Sequence, residues 1–394
     1  MSGERIETAN GGTWQYLPDD APPLADRMRA IASARLIDEI SLQPLQRDIS
    51  VTTTRSDLYP RVSRGGLVGL VGQPARTFPG LDTNPTTIDL NITCSGFLPM
   101  ALQGALGPVA GFPDAFAPLD FGDVPMHRTG VALEGRVVRR TPLSAVPLAG
   151  ATVQVDALWS HPPPANWAPP AFAEAPNIVS LAPGLYRARA ATTNIRQRAL
   201  SPAGTAKTLV NSASPGTRRI RVSDSTSLTA GSVIMIDRDV PDRTEVIPIA
   251  AIDPTLGTDV PAWITLAHPV GWLHRAGAAC IAVVPQPPLF PSTLSRAAIA
   301  GDCTAFTASA PAFTNDAFVE IDDTAPDDNA GDPEYQRVGL YQTTTDAAGY
   351  FHLPPVARVA LVRLLAHHAT VTDSQPIVTL DYSIVIQNLT VAME

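Results

Sequence analysis

The sequence predicts a mainly β, multi-domain protein, and three features of its composition lead to that prediction. The chain has 394 residues, more than one hydrophobic core usually organises, so we expect several domains. Apolar residues make up 45% of it, which is enough to fill the cores of such domains. Charged residues reach only 16%, whereas 39 prolines and 27 glycines favour short strands joined by turns over long helices.

Residues 1–44 are predicted to form an N-terminal arm that carries one amphipathic helix. Two aspartates and a proline suit its first turn, and apolar residues then recur at helical spacing. Because an apolar stripe of this kind must pack on something, we expect Leu24, Met28 and Ile31 to dock into a groove of a partner subunit.

Residues 45–128 are predicted to be a small β domain. The segments DISVTTTR, GGLVGLVG and TTIDLNITC alternate or run apolar between turn residues, as strands do. A stretch rich in Gly, Pro and Asp near the end of this domain predicts a linker before residue 129.

Two separated segments, residues 129–158 and 338–394, carry complementary strand patterns. The first contains G-x-V and P-x-x-G-A-x-V, and the second contains T-x-D-x-x-G-x-F-x-L. The matching residues are Gly135, Val137, Pro147, Gly150, Ala151, Val153, Thr344, Asp346, Gly349, Phe351 and Leu353. Together the segments resemble the carboxypeptidase regulatory-like family, a transthyretin-like β-sandwich. The resemblance implies a discontinuous structural or binding module without catalytic residues of its own.

Each residue of the second pattern also has a mechanical interpretation. Asp346 and Gly349 are expected to close a tight turn, Asp346 through a side-chain hydrogen bond to the backbone and Gly349 by adopting a positive φ. Phe351 and Leu353 are two positions apart, so both side chains should point into the sandwich core.

The interruption of the sandwich predicts an inserted β module at residues 216–285. Five short strands are predicted there, at Arg219–Val222, Val233–Ile236, Thr244–Ile252, Trp263–Leu266 and Cys280–Val284. The module is similar to small β modules of phage tail and other virion-associated proteins, on the residues Leu228, Gly231, Thr244, Glu245, His274, Gly277 and Ala278. Residues 159–215 are expected to hold a Pro-rich extended segment with strands, and residues 286–337 a loop-rich return with an acidic stretch.

The charge and apolar patterns bear on partners and location. A net charge of −9 disfavours nucleic acid, whose phosphates need clustered cations. No window approaches ~18 consecutive apolar residues, so we expect no membrane span. No apolar segment follows a basic start, so we expect that the chain has no signal peptide and is made in the cytoplasm. The composition, rich in Arg, Ala and Pro, indicates a bacterial protein. Cys94, Cys280 and Cys303 are far apart, which predicts small buried thiols rather than disulfides.

Common catalytic motifs are absent from the sequence, so we expect a protein that is not an enzyme and needs no cofactor. The nucleophile elbow, the zinc HExxH pattern, the phosphate-binding loop and the dinucleotide-binding glycines are all missing. His268 and His274 flank a turn that contains Trp272. They fit either a metal or ligand site or a turn packed by tryptophan and hydrogen-bonded histidines, and we favour the second interpretation.

One acidic stretch provides a calcium candidate. Carboxylate oxygens are ligands that Ca²⁺ accepts in loops. The carboxylates concerned are Asp322, Asp323, Asp327, Asp328 and Asp332. Their spacing fits no EF-hand loop, so we favour a solvated acidic loop over a calcium site.

These features predict a structural or assembly protein of a phage tail-like or contractile injection particle, at the baseplate or another peripheral position. The nested β modules, the Pro-rich segments suited to threading between subunits and the virion-like insertion all favour it. Its partners would be other subunits of the particle, and a homo-oligomer is compatible with the same features. The alternative is a surface adhesin or carbohydrate-binding β-sandwich protein, whose sugar-stacking candidates are Trp159, Trp167, Trp263 and Trp272.

Overall fold

The structure of the protein is a computed structural model that describes, besides the strands Glu4–Glu7 and Thr13–Tyr16, residues 28–46, 48–72, 86–109, 112–116, 118–164, 173–253, 260–323 and 333–394. The chain divides into two compact units, unit 1 (Met1–Arg128) and unit 2 (Thr129–Glu394). Within the described residues the protein is mainly β, with no α-helix and two single 3-10 turns, Arg64–Gly66 and Pro241–Arg243. The described residues contain no helix that is long and apolar enough to cross a membrane.

Unit 1 contains two sheets that share one core. Its strands are β1 (Glu4–Glu7), β2 (Thr13–Tyr16), β3 (Arg29–Asp38), β4 (Ile49–Thr52), β5 (Tyr59–Val62), β6 (Leu67–Gly72), β7 (Thr86–Cys94), β8 (Met100–Leu106), β9 (Pro108–Val109), β10 (Phe112–Phe116) and β11 (Leu119–Met126). One sheet has the order β11-β3-β6-β5, the other β4-β7-β8, and β1-β2 and β9-β10 are hairpins. Leu36, Leu70, Leu90 and Met126 are fully buried in the shared core.

The prediction of an N-terminal helix is wrong over the residues that the structure describes. Arg29–Asp38 forms β3, which lies between antiparallel β6 and parallel β11. Ile31 is fully buried in the core of unit 1, so it is not part of an exposed docking stripe. Met28 precedes the strand and is exposed, and Leu24 lies outside the described residues.

Tertiary packing explains why this segment is a strand. Its alanines, arginines and leucine are good helix formers, but a central strand buries both of its faces, and four consecutive residues from Ile31 to Ala34 are buried. The neighbouring strand also approaches closely, because a Cβ added to Gly69 would lie 2.7 Å from the carbonyl oxygen of Ala32. Burial on two faces therefore outweighs the local helix propensity.

Unit 2 consists of three β modules nested in the chain. Its strands are β12 (Val131–Arg140), β13 (Ala145–Pro147), β14 (Thr152–Trp159), β15 (Ile178–Ala182), β16 (Asn194–Arg198), β17 (Leu200–Thr208), β18 (Arg219–Val222), β19 (Val233–Ile236), β20 (Glu245–Ile252), β21 (Ala262–Leu266), β22 (Ala279–Pro285), β23 (Leu289–Thr293), β24 (Thr304–Phe306), β25 (Phe318–Asp322), β26 (Glu334–Gly339), β27 (Gln342–Thr344), β28 (Tyr350–Val356), β29 (Leu361–His368), β30 (Val371–Ser374), β31 (Ile377–Thr379) and β32 (Ile386–Met393). The chain runs from an outer sandwich through a middle barrel into an inserted barrel and then back in reverse order.

The outer sandwich comprises β12–β14 and β27–β32. In its first sheet, β12 pairs with β13 and β28 along one edge and with parallel β32 along the other. Its second sheet has the order β27-β14-β29-β30, with β31 also paired to β29. Phe351 and Leu353 are buried in the core between the sheets, as predicted. The predicted turn is also confirmed, because Asp346 Oδ1 accepts hydrogen bonds from the N–H groups of Ala348 and Tyr350 and Gly349 has φ 76°.

The middle barrel is a six-stranded sheet with the order β23-β16-β25-β26-β15-β24. A bridge between Leu294 and Thr307 joins the ends of β23 and β24, so the sheet closes on itself. Its interior holds Leu181, Ile195 and Val319. Residues that were expected to be extended or loop-rich thus contribute the two halves of one module.

The inserted barrel has the strand order β17-β22-β19-β20-β21-β18. A bridge between Leu209 and Val222 brings the chain after β17 against β18 and closes this sheet as well. Strands are present at all five predicted places, and two of them, Arg219–Val222 and Val233–Ile236, have the predicted bounds. β17 adds a sixth strand that the pattern did not indicate.

Candidate functional site

The surface between the two barrels contains a layer of buried side chains, four of them charged and one a tyrosine. We call this the charge layer, and its members are Arg196, Arg198, Glu320, Asp322 and Tyr335, each no more than 6% exposed. They come from β16, β25 and β26, whose register places Glu320 opposite Arg196 on one side and opposite Tyr335 on the other. Alternation along these strands sends the intervening aliphatic residues into the middle barrel, so the charged face is turned toward the inserted barrel.

Glu320 is the centre of the charge layer. Its carboxylate accepts a hydrogen bond from Arg196 Nε at 2.7 Å, two from Arg198 at 3.0 Å each, and one from the Tyr335 hydroxyl at 3.0 Å. Burial and the adjacent carboxylate raise the pKa of Tyr335 far above its usual value, so its hydroxyl stays protonated and donates. Four donors on one buried carboxylate make this a tightly fixed cross-link within the middle barrel.

The guanidinium of Arg196 has N–H donors that its bond to Glu320 does not use. Its Nη2 lies 3.5 Å from Asp322 Oδ2, and in the part of the chain that the structure describes neither Nη1 nor Nη2 has a hydrogen-bond partner. The residue is nevertheless buried, with only 1% of its surface exposed. The charge therefore depends on Glu320 and Asp322 for its compensation.

A second network lies inside the inserted barrel around His274, which is fully buried. Its Nδ1 lies 2.8 Å from Asp237 Oδ2 and its Nε2 lies 2.6 Å from Glu245 Oε2. Both ring nitrogens face carboxylates, so both carry a proton and the ring is an imidazolium. Burial opposes that charge, but the hydrogen bonds to Glu245 and Asp237 outweigh it and raise the pKa of His274.

Tyr186 connects this network to the middle barrel. Its hydroxyl donates to Glu245 Oε1 at 2.8 Å, and its backbone N–H donates to Glu334 Oε1 at 2.6 Å. Arg189 also contacts Glu334, at 3.3 Å. Burial raises the pKa of Glu334 despite these donors. The loop after β15 is thus bound at once to an inserted-barrel carboxylate and to its own barrel.

His268 packs against the same tyrosine. Its ring is parallel to that of Tyr186 within 7°, with centroids 5.3 Å apart, and Nε2 lies 3.4 Å from the carbonyl oxygen of Pro333. Burial lowers the pKa of His268 to about 4, so the ring is neutral at pH 7. Both histidines are hydrogen-bonded, as the favoured interpretation expects, and the aromatic ring that stacks on His268 is that of Tyr186.

The calcium candidates are only partly described. Asp322 belongs to the charge layer, and Asp323 accepts from Thr193 Oγ1 at 2.6 Å and from Arg189 at 3.1 Å. The other three, Asp327, Asp328 and Asp332, lie outside the described residues. Among the residues with described positions, no group of three or more His, Cys, Asp or Glu side chains is placed to hold a metal ion. The solvated acidic loop therefore stays the favoured prediction, and a calcium site the alternative.

The three cysteines are free thiols. Burial raises the pKa of Cys280 to about 12 and that of Cys303 to about 11, while Cys94 is half-buried with its pKa raised by the same cause. Since the thiolate is the reactive form, these thiols are chemically quiet at neutral pH.

A groove of about 930 Å³ opens between the two barrels. Part of the charge layer forms its floor, namely Arg198, Glu320, Asp322 and Tyr335. Polar and apolar surface contribute about equally to the groove, and the apolar residues of its walls come from both barrels: Val233, Pro248, Ile249, Ala250, Leu266, Val284, Pro285, Pro287, Pro288 and Pro333. Arg218 is the one further charged residue among the lining residues described, so two arginines and two carboxylates balance there.

The chemistry of the site is that of a fixed joint. His274 donates both ring protons to carboxylates inside the inserted barrel, and Glu320 accepts four hydrogen bonds inside the middle barrel, so each network stiffens its own barrel. The Tyr186 hydroxyl, which donates to Glu245, joins the two barrels. Sequence patterns had marked Glu245 and His274 as members of one motif, and the structure brings them into contact. The charge layer had no such local signal, because Arg196 and Glu320 are 124 positions apart.

Comparison with known proteins identifies no family. No protein-family model matches the chain, and no curated protein sequence matches it significantly. Among solved structures, two crystal structures of BcpA, the major pilin subunit of Bacillus cereus, align over 93% of this chain and 99% of theirs at 7% identity. Their TM-scores are 0.19 and 0.18, which is too low to support an argument about fold or function.

Proposed function

We propose that the chain is a structural subunit of a multi-protein particle of the phage tail-like or contractile injection type, at a baseplate or peripheral position. The observation that supports this most is the joint between the barrels. The hydrogen bond from the Tyr186 hydroxyl to Glu245 joins the middle barrel to the His274 network of the inserted barrel, and the Glu320 network stiffens the middle-barrel face that is turned toward it, as a load-transmitting scaffold requires. We do not assign it catalysis, because both networks are occupied by structural contacts.

The module types follow from the same residues. We infer that the outer sandwich is of the carboxypeptidase regulatory-like type, which the left-handed turn residues Gly150 and Gly349 support. We also infer that the inserted barrel is of the kind found in phage tail proteins. In support, Leu228 is buried, Gly231 has φ 85°, and the motif residues Glu245 and His274 are hydrogen-bonded.

Two of the four candidate tryptophans of the adhesin alternative are poorly placed for stacking on a sugar, and Trp167 lies outside the described residues. Trp159 exposes only 2% of its surface, at the end of β14, so it cannot stack on a sugar ring. The ring of Trp263 is covered by the guanidinium of Arg219, 5.0 Å from its centroid. Assembly is therefore the function that we put to the test.

The test is to locate the protein in an assembled particle. The tip of the β12–β13 hairpin suits an epitope tag, because Leu143 is 97% exposed. A strain with the tag in its chromosomal gene should give particles of regular shape in electron micrographs, with antibody bound at one repeated position and a constant ratio of the chain to its partners. An untagged strain is the control. Recovery of the tagged chain only as free protein, from cells that do contain such particles, contradicts the proposal.

A further inference from the structure

An apolar knob stands directly beside the groove between the barrels. The knob is the segment Pro287–Pro291, which carries Leu289 and Phe290, each 47% exposed. Its first two prolines already form part of the groove wall. Knob and groove are therefore neighbouring parts of one continuous surface.

The backbone of the knob is strained in a way that displays its aromatic ring. Phe290 has φ 48°, in the left-handed region that bulky residues rarely adopt. Phe290 lies in β23 at an irregularity in the pairing of that strand with β16, and half of its side chain remains in solvent, so burial of the ring does not offset the cost of this conformation. Residues held in this way concentrate at functional sites.

The base of the knob is rigid. The N–H of Gln286 donates to the carbonyl oxygen of Ala199 at 2.8 Å, and the carbonyl oxygen of Gln286 accepts from Arg198 Nη1 at 2.8 Å. Arg198 is itself held by Glu320. The charge layer thus presents the knob in one position, which lowers the entropy that a partner must remove on binding.

We infer that the occupant of the groove is the knob of a second copy of this chain, and that two copies exchange knobs about a two-fold axis. Since knob and groove are adjacent, the same patch on each copy is self-complementary, as a two-fold interface requires. Charge does not oppose this occupant. The chain carries −9 overall, but Pro287–Pro291 has no charged residue and the charges lining the groove cancel, so like charges do not meet there.

The area also favours exchange in both directions. The exposed half of an aromatic side chain is about 100 Å², and the five residues of the knob expose roughly 350 Å² together. With the wall that it covers, one knob in one groove buries about 600 Å² in total, the size of a crystal-packing contact. Two reciprocal insertions bury about 1,200 Å², which is the lower end of the range for specific, stable interfaces. The dimer does not depend on membership in a particle.

Two variants separate the knob from the groove. Phe290→Asn removes the ring but keeps a residue that tolerates a positive φ, so the fold is retained. Ala250→Arg places a bulky charge on an exposed residue of the groove wall. Val385→Asn is the matched control, because Val385 is 78% exposed but lies on the outer sandwich.

Sedimentation velocity over a concentration series measures the outcome. We expect the wild type and Val385→Asn to dimerise, and Phe290→Asn and Ala250→Arg each to dimerise at least about 100-fold more weakly, tenfold or more from each of two contacts. An equimolar mixture of the two weak variants should associate more tightly than either alone, because one knob still meets one open groove.

Three results overturn the proposal. The first is a wild type that stays monomeric at about 100 μM, because such a contact is too weak for an interface of this size. The second is a Phe290→Asn variant that dimerises as tightly as the wild type. The third is a mixture of the two variants that associates no more tightly than either variant alone. Circular dichroism on each variant confirms that the fold is intact. Particle recovery in cells is a separate readout, so either proposal can fail alone.

Discussion

Replacing Glu320 by glutamine should destabilise unit 2 strongly although the side chain keeps its shape. The carboxylate accepts four hydrogen bonds, whereas an amide in its place has one acceptor oxygen and turns an NH₂ group toward donors. At least two bonds to charged groups are lost, at about 1.5–3 kcal/mol each. Breaking one partner out of a buried ion pair costs about 3–5 kcal/mol by independent measurements. We therefore expect Glu320→Gln to lower the free energy of unfolding by about 3–5 kcal/mol.

Urea unfolding at pH 7, followed by far-UV circular dichroism, measures this loss. A triple variant, Glu320→Leu with Arg196→Met and Arg198→Met, is the informative comparison. It removes the whole ion cluster instead of one partner, and such replacements are often neutral or stabilising, so it should unfold within about 1–2 kcal/mol of the wild type. A cost below about 1 kcal/mol for Glu320→Gln would refute the view that this carboxylate is buried and indispensable to two arginines.

Three further predictions concern single positions. Burial lowers the pKa of His268 from 6.5 to about 4. Between these two pH values the unfolded chain binds a proton that the folded chain does not, so the stability of the fold decreases as the pH falls from 6.5 toward 4. His268→Phe keeps an aromatic ring for stacking but does not titrate. On acidification the unfolding free energy of the wild type should therefore fall relative to that of the variant, by up to about 1.4 kcal/mol per pH unit. A difference between the two that is independent of pH contradicts the assignment. Gly349→Ala should cost about 2–4 kcal/mol in urea unfolding, because its φ is 76° and an added Cβ would lie 2.7 Å from a carbonyl oxygen, whereas Gly150→Ala, with φ 75° and open space, should cost only about 1–2 kcal/mol; equal costs would show that the close approach is unimportant. Gly271→Ala would bring a Cβ within 2.6 Å of Pro183 Cβ and 3.0 Å of Glu245 Oε1, so its thermal midpoint should fall with a loss of about 1–3 kcal/mol, and an unchanged midpoint argues against tight packing of this turn on the middle barrel.

The strands of the inserted barrel were predictable because each has a conventional pattern. Arg219–Val222 and Val233–Ile236 are short runs of β-branched and aliphatic residues between turns, and both occur with the predicted bounds. The turn at Asp346 was predictable for a similar reason, since a single aspartate and a glycine carry its geometry locally. Local chemistry determines these elements.

The middle barrel was not predictable from such patterns. β16 (NIRQR) and β25 (FVEID) bury both faces, but one face is charged, so each strand looks half-exposed in sequence. The partners that allow this burial are more than 120 positions away, and no local rule connects them. The helix expected around Ile31 failed for the converse reason, because neighbouring strands imposed an extended conformation on good helix formers.

The paired ends of the inserted barrel make it a unit that a genome can exchange. Its first and last strands place Leu200 beside Pro285, and the flanking residues Ala199 and Gln286 are hydrogen-bonded to each other. A deletion or replacement of this stretch of the gene leaves two chain ends close enough for a short turn to rejoin them. The surface uncovered by such an event carries the charge layer beside the apolar side chain of Phe318, so ionic groups interrupt the apolar area that it exposes to water. Descendants of one gene can thus acquire new outer faces while the underlying support stays unchanged.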